Sequence, residues 1–259
     1  MVRRLLSRIV PDRAKRLIDR IRERRFLAIV GPAATSFVTA NGLEVTDGPF
    51  TGLKYIPGLE RTTGALVAKL LGAYEQELHA TVETLVESRP SQLIDVGSAE
   101  GYYAVGFARR MPDVTVYAYD IDAGARASCK QLAAVNEVAS RVLVRGACTP
   151  ADLAEFPPEG VVLFCDCEGY ERTLLDPQAA PVLRHWTILV ELHDVIDPSI
   201  SATIRSRFAP THQFELIGGE PRNPDEYPAL VPLSRRERTA VLSEYRPALM
   251  SWALMRPLG

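Results

Sequence analysis

Several features are scarce in this sequence, and each scarcity excludes a class of protein. No stretch approaches the roughly 18 consecutive apolar residues of a membrane-spanning helix, so we expect no transmembrane segment. Four cysteines in 259 residues are too few for a disulfide framework, which favours a reducing compartment. Arg8 and Pro11 interrupt the apolar run that a secretory signal would need near the N-terminus. Together these absences predict a cytoplasmic protein.

The rest of the composition is that of a folded globular chain. Hydrophobic residues make up 47% and charged residues 24%, which excludes disorder for most of the chain. The net charge of −2 is unevenly distributed along the sequence. Residues 1–30 hold ten basic and three acidic residues, a net of +7, which leaves −9 for the remainder. The sequence therefore predicts a basic arm on an acidic body.

The basic arm has the pattern of a short helix that begins at Pro11-Asp12. An apolar stripe at helical spacing lies among its arginines and consists of Ala14, Leu17, Ile18 and Ile21. One interpretation is that the stripe docks on the rest of the chain or on a second copy in a homodimer. The other is that residues 1–30 bind an anionic surface, such as membrane headgroups, nucleic acid or an acidic partner. A peripheral membrane location stays open on this second interpretation.

Residues 31–60 are rich in turn-forming residues and predict a lid or a wall of a binding site. Asn41-Gly42 lies between two short apolar runs, at 37–38 and 43–45, which is typical of a β-hairpin turn. We therefore expect residues 1–62 to form an N-terminal helical and hairpin extension. Residues 63–259 are then expected to form the main domain.

The main domain alternates helical and strand-like segments. A long helix is predicted at about 63–88, and shorter ones at about 101–111, 123–137, 169–176 and 199–207. Apolar strand-like runs lie at 92–97, 114–120, 141–147, 161–166, 187–193, 213–219 and 249–256. Several of these runs are almost wholly apolar, as expected when helices cover both faces of a sheet. The pattern predicts an α/β fold with a doubly wound, seven-stranded, mostly parallel sheet.

A glycine-containing loop follows the first predicted strand. It runs from Gly97 to Gly101 and leads into a helix, where backbone N–H groups can meet a negatively charged ligand. Ala99 stands where a dinucleotide-binding fingerprint needs its second glycine, which argues against NAD. Asp120 ends the second strand, 25 residues after Asp95, where a carboxylate can accept both hydroxyls of a ribose.

These residues resemble the first motifs of class I S-adenosylmethionine-dependent methyltransferases, and the resemblance covers about residues 63–257. A second segment, residues 166–171 (DCEGYE), is similar to the D-x-E-G-Y-E segment of FkbM-type methyltransferases. The run at 188–193 (ILVELH) is similar to the strand that follows it in that family. The resemblance implies the Rossmann-like methyltransferase fold and S-adenosylmethionine as methyl donor, with S-adenosylhomocysteine as product. It also implies methylation of a hydroxyl on a small molecule or on a glycan or lipid-linked sugar.

The resemblance also assigns a set of cofactor-binding residues. Asp95, Gly97, Ala99 and Gly101 would line the methionine end, Asp120 would hold the ribose, and Ile121 would pack on the adenine. Many relatives carry an acidic residue after the third strand, where this chain has Ala147-Cys148, so backbone N–H groups would serve there. The full implied set is Asp95, Gly97, Ser98, Ala99, Gly101, Tyr102, Asp120, Ile121, Ala147 and Cys148.

Acidic residues and a histidine follow the fourth and fifth predicted strands, which are neighbours in the usual order of this fold. Methylation of a hydroxyl needs a group that takes its proton, and His193 is the natural base. Asp166 and Glu191 would orient it or the acceptor, with Glu168 nearby. A structural Glu191–His193 pair is the alternative. A divalent metal held by these four residues is a further option, not favoured because no metal-spacing motif is present.

Two other functions remain as alternatives at this point. One is an RNA methyltransferase that uses the basic arm, although the acidic body argues against it. The other is a non-catalytic protein that binds the cofactor and acts through a partner. The combination of Asp166, Glu168 and His193 argues for catalysis.

Overall fold

The computed structural model describes residues 12–59, 64–243 and 249–258, with side chains from residue 24 onward. A seven-stranded sheet has the order β3-β2-β1-β4-β5-β7-β6. The first five strands are parallel, and β7 runs antiparallel to both β5 and β6. Their bounds are β1 Gln92–Val96, β2 Thr115–Tyr119, β3 Val142–Arg145, β4 Val161–Cys165, β5 Thr187–Leu192, β6 His212–Gly218 and β7 Ser251–Pro257. The predicted sheet is confirmed, with each strand within about two residues of its expected ends.

Helices connect these strands. Their bounds are α1 Asp12–Asn41, α2 Leu66–Leu70, α3 His79–Glu87, α4 Tyr102–Arg110, α5 Ala123–Val135, α6 Pro150–Ala154, α7 Glu171–Leu174, α8 Ile200–Phe208 and α9 Arg235–Leu242. Short 3-10 turns lie at Gln76–Leu78, Pro181–His185, Pro224–Glu226 and Pro228–Leu230. A core of fully buried side chains, among them Leu163, Trp186 and Phe208, lies against the middle strands. None of the helices in the described ranges is long and apolar enough to cross a bilayer.

The N-terminal region differs from the predicted short helix and hairpin. Helix α1 is continuous over 30 residues and includes Pro32, Phe37 and Val38. Its end is marked by hydrogen bonds to the last turn, from Gly42 N–H to the Val38 carbonyl (2.8 Å) and from Asn41 Nδ2 to the Phe37 carbonyl (2.9 Å). An Asn-Gly pair suits a helix end as well as a hairpin turn, because both need a left-handed residue. The predicted hairpin at residues 37–45 is therefore wrong.

The long helix predicted at 63–88 is also wrong, because the chain breaks into α2 and α3. Thr63, its expected start, lies outside the described residues. Gly72 has a φ of 67°, and a Cβ there would overlap the backbone carbonyl of Asp47. Glu75 is also left-handed, with a φ of 44°. The break is therefore set by a close approach of a distant backbone segment rather than by local sequence.

The chain divides into two compact units. One draws on residues within 1–42, 57–68 and 222–245, and in it α1 packs against α9. The other draws on residues 43–56, 69–221 and 246–259 and contains the whole sheet. The division expected between residues 62 and 63 stays a prediction. The residues of the candidate active site belong to the unit that contains the sheet.

Candidate active site

The loop between β1 and α4 is shaped by one glycine in particular. Gly97 has a φ of 86°, and a Cβ at this position would overlap the backbone carbonyl oxygen of Asp166. The N–H groups of Gly97 and Ser98 both donate to the Tyr119 carbonyl, at 2.9 and 3.0 Å. The loop is therefore packed between the end of β2 and the segment after β4, and only glycine fits at its first position.

Asp120 supports the same loop from the end of β2. Its Oδ2 accepts the N–H of Ala99 at 2.9 Å, and its Oδ1 accepts the N–H of Asp122 at 2.7 Å. Each carboxylate oxygen can accept more than one hydrogen bond, so both can still take a hydroxyl. The next side chain, Ile121, is 85% exposed. Asp120 is thus placed to bind the hydroxyls of a ribose, and Ile121 is placed to pack against a flat ring.

Two buried polar atoms beside the loop lack partners. Oδ2 of Asp95 and Oγ of Ser98 have no hydrogen bond within the described part of the chain, although both residues are buried. Burial and the nearby Asp166 carboxylate raise the pKa of Asp95 to about 8. Unpaired buried polar atoms are costly, so a ligand that supplies polar partners fits this loop. These atoms suit the methionine end of S-adenosylmethionine.

The remaining expected cofactor residues lie in different surroundings. The ring of Tyr102 is buried and packs edge-on against Phe50 and Tyr74, with centroids 5.2 and 5.5 Å away. Ala147 is exposed, whereas burial raises the pKa of the Cys148 thiol to about 12. Within the described ranges, no hydrogen bond joins Ala147 or Cys148 to the 97–101 loop. The structure thus brings the loop and Asp120 together, and leaves the roles of these three residues as predictions.

The four residues expected to be catalytic lie close together, with three carboxylates around the imidazole of His193. Strands β4 and β5 are parallel neighbours with Cys165 opposite Val190, so the residues that follow lie side by side. Nε2 of His193 lies 3.3 Å from Glu191 Oε2, 3.4 Å from Glu168 Oε2 and 3.5 Å from Asp166 Oδ1. We call Asp166, Glu168, Glu191 and His193 the His193 cluster. Burial and the Glu191 carboxylate hold the pKa of Asp166 well above its usual range.

Glu171 is a further member of this site that the sequence analysis missed. It is completely buried at the start of α7, and its Oε1 lies 2.7 Å from Nδ1 of His193. The same oxygen accepts the backbone N–H groups of Cys167 and Gly169. Burial alone would raise the pKa of Glu171, but the hydrogen bonds from His193 and Gly169 lower it overall. Glu171 is the last residue of the quoted DCEGYE segment, so the signal was present.

The ionised Glu171 in turn affects the pKa and the tautomer of His193. Burial would lower the pKa of His193, but Glu171 and the cluster carboxylates raise it above the ordinary value. Because a carboxylate accepts hydrogen bonds, it fixes the proton of a neutral His193 on Nδ1 and leaves Nε2 facing the cluster. A strained turn supports this arrangement, since Glu168 has a φ of 53° although it is not glycine.

A second buried network anchors the loop and was also missed from sequence. Glu100, within the loop, is buried and lies 2.5 Å from Nζ of Lys69 on α2. The hydroxyl of Tyr55 donates to the same carboxylate at 3.0 Å. Burial would raise the pKa of Glu100, and Lys69 more than offsets this. No local pattern could have shown this pair, because its two residues lie 31 positions apart in the sequence.

Comparisons with known proteins bear on this arrangement. No protein-family model and no curated protein sequence matches the chain. Among solved structures, the O-methyltransferase TomG from Streptomyces achromogenes, in complex with SAM, matches over 80% of this chain and 92% of its own, with 13% identity and a TM-score of 0.51. This chain has a methyltransferase fold. A second match, with S-adenosylhomocysteine-bound methyltransferase PaMTH1 from Podospora anserina, has 14% identity, coverages of 74% and 79% and a TM-score of 0.45.

The TomG match confirms the expected fold. It does not distinguish an FkbM-type protein from other methyltransferases, so that resemblance stays a prediction.

Proposed function

We propose that the chain is an S-adenosylmethionine-dependent O-methyltransferase that acts on a hydroxyl of a small molecule, a glycan or a lipid-linked sugar. One observation carries the proposal. Gly97 lets the loop after β1 lie directly against the backbone of Asp166, whose side chain belongs to the His193 cluster. A donor held by the loop is therefore next to the residues that receive the acceptor, as transfer between two bound molecules requires.

The donor half of the site consists of the loop, Asp120 and Ile121. Backbone N–H groups and the unpaired atoms of Asp95 and Ser98 offer polar contacts to the amino-acid end. Asp120 offers acceptors to the ribose hydroxyls, and the exposed Ile121 offers an apolar face to the adenine. When bound, S-adenosylmethionine supplies a methyl group on a sulfonium, which is reactive toward an oxygen nucleophile.

The acceptor half is the His193 cluster. A hydroxyl is a weak nucleophile while protonated, so its proton must leave as the methyl group arrives. The cluster offers carboxylate oxygens and Nε2 of His193 as groups that orient the hydroxyl and receive its proton. Glu171 stabilises the imidazole in the required orientation from the other side.

The proposal is tested with the full chain, methyl-labelled S-adenosylmethionine and a panel of hydroxylated acceptors. We expect label in a hydroxylated acceptor, and a His193→Asn variant slower by roughly 10²–10⁴-fold with donor affinity nearly unchanged. Glu159→Gln is the matched control, because Glu159 is exposed and belongs to no hydrogen bond or ion pair within the described ranges. Label found only in RNA would overturn the proposal in favour of an RNA methyltransferase. Donor binding without transfer to any acceptor would indicate a non-catalytic cofactor-binding protein.

The partner of the basic arm belongs to the same proposal. Residues 1–11 lie outside the described residues, and the side chains of 12–23 are not described. A homodimer, an anionic surface for residues 1–30 and a cytoplasmic or peripheral membrane location therefore stay predictions.

A further inference from the structure

We propose that Asp166, Glu191 and His193 bind one divalent metal cation, with Glu168 as a fourth ligand. The proposed function gives this cation its purpose, since it lies where the acceptor hydroxyl is expected. The binding site itself rests on the geometry of the side chains. With the cation bound, His193 acts as a ligand rather than as the base expected from sequence.

The separations around Nε2 of His193 are those of metal ligands rather than of hydrogen-bond partners. Hydrogen bonds from nitrogen to oxygen have lengths of about 2.7–3.2 Å. The three carboxylate oxygens lie 3.3, 3.4 and 3.5 Å from Nε2. Nitrogen and oxygen ligands lie about 2.0–2.2 Å from a tetrahedral zinc ion, which places any two of them about 3.4 Å apart. The three separations from Nε2 agree with that value, and one ligand atom from each of Asp166, Glu191 and His193 lies within 4.8 Å of the other two.

The charges and lone pairs at the site suit a cation. Glu171 Oε1 accepts two backbone N–H groups and the Nδ1 proton of His193, so Nε2 of the neutral imidazole carries a lone pair. His193 makes no hydrogen bond through Nε2 to any described residue, and its side chain is only 4% exposed. Asp166 Oδ1, one of the three oxygens that face it, is also buried without a hydrogen-bond partner. A cation placed between Nε2 and Asp166 Oδ1 would bind both of these lone pairs at once.

No lysine or arginine of the described residues forms an ion pair with the Asp166 or Glu168 carboxylate. Asp166 and Glu168 form ion pairs only with His193 in the described part of the chain. The contact from Glu171 to Nδ1 is typical of metal-binding histidines, whose second nitrogen usually donates to a carboxylate or carbonyl. The site therefore has three ligands and a supporting residue in place, and the largely exposed side chain of Glu168 lies beside them as the fourth.

The ligand set indicates the class of metal. One imidazole nitrogen with carboxylate oxygens suits Zn²⁺, Mn²⁺, Fe²⁺ or Co²⁺ better than Mg²⁺ or Ca²⁺, which prefer oxygen alone. A cation there would bind the acceptor oxygen and lower the pKa of its hydroxyl. Its contribution to the reaction would then be to make the oxygen nucleophilic near neutral pH.

The test uses the full chain, treated with EDTA, dialysed and titrated with Co²⁺ in the absence of donor and acceptor. We expect one equivalent to bind and to produce visible absorption bands typical of four-coordinate Co²⁺, with Zn²⁺ displacing it and Mg²⁺ failing to do so. His193→Ala and Asp166→Asn should lose the bands, and Glu171→Gln should bind 10–100-fold more weakly. Glu159→Gln should bind like the wild type. Thermal unfolding of each metal-free variant shows whether it is folded.

Absence of Co²⁺ binding in the wild type, or unchanged binding in folded His193→Ala and Asp166→Asn variants, would overturn the metal site. This failure is distinct from failure of the proposed function. Methyl transfer by the EDTA-treated chain, with no metal bound, would overturn the cation's role in the reaction and restore His193 as the base. Metal binding without methyl transfer to any hydroxyl would support the metal site and contradict the proposed function.

Discussion

Asp120 accepts the backbone N–H of Ala99 at 2.9 Å, so the end of β2 holds the loop that follows β1. Ala99 has a φ of 46°, a conformation that non-glycine residues adopt at a cost. The hydrogen bond offsets part of that cost. One carboxylate therefore shapes the loop and remains available to a ligand.

Replacement of Asp120 by alanine is expected to weaken donor binding. The loss of charge-assisted hydrogen bonds costs about 1.5–3 kcal/mol each, or roughly 10–100-fold in affinity. Calorimetry with S-adenosylmethionine measures the change. Asp113→Ala is the control, because Asp113 is exposed before β2 and makes no hydrogen bond or ion pair in the described ranges. Wild-type affinity in Asp120→Ala would remove its assignment to the ribose.

Gly97→Ala is expected to destabilise the fold and to abolish donor binding. The new Cβ would overlap the Asp166 carbonyl, and overpacking of this kind costs about 1–3 kcal/mol or more. Gly146→Ala is the matched control, because a Cβ there meets nothing within 4 Å. Chemical denaturation and calorimetry follow both effects. Equal stability and affinity for the two variants would show that the loop is not confined as described.

The buried Lys69–Glu100 pair predicts a large non-additive effect on stability. Lys69→Met leaves the Glu100 carboxylate buried without its cation, which is expected to cost about 3–5 kcal/mol. Glu100→Gln in the same chain should restore most of this loss, because a neutral amide can still accept from Tyr55. Urea denaturation of both single variants and the double variant measures the coupling free energy. Additive effects would indicate that the two charges do not interact.

His212 predicts a loss of stability in mild acid. Burial lowers the pKa of His212, although its Nε2–H donates to the Trp186 carbonyl at 2.9 Å. The unfolded chain therefore binds this proton at a higher pH than the folded chain. The unfolding free energy falls as pH drops below about 6.5, by at most about 1.4 kcal/mol per pH unit from this group, until the folded pKa is passed.

Urea denaturation between pH 7 and pH 5 measures this slope. A His212→Gln variant should show a shallower slope, because glutamine does not titrate. Identical slopes for the variant and the wild type would assign the acid sensitivity to other groups.

The sequence predicted the middle of the sheet well because β1, β4 and β5 are buried on both faces and therefore have almost continuous apolar sequences. It also predicted that Asp166, Glu191 and His193 lie at neighbouring strand ends, since strand order follows from the fold. Asn41-Gly42 was misassigned because its preference for a left-handed backbone suits both a hairpin turn and the end of a helix. The break at Gly72 depends on Asp47, and the role of Lys69 depends on a contact with Glu100 that no local pattern encodes. Glu171 was missed although it lies within the DCEGYE segment.

Strand β7 lies between β5 and β6, although both precede it in the chain. During synthesis, the edge of β5 stays unpaired until Ser251–Pro257 has left the ribosome. Glu191 then gains Trp252 as its cross-strand neighbour. Open strand edges invite pairing with other chains. Translation that stalls before this strand is therefore expected to yield aggregates, and chaperone demand should be greatest at that stage.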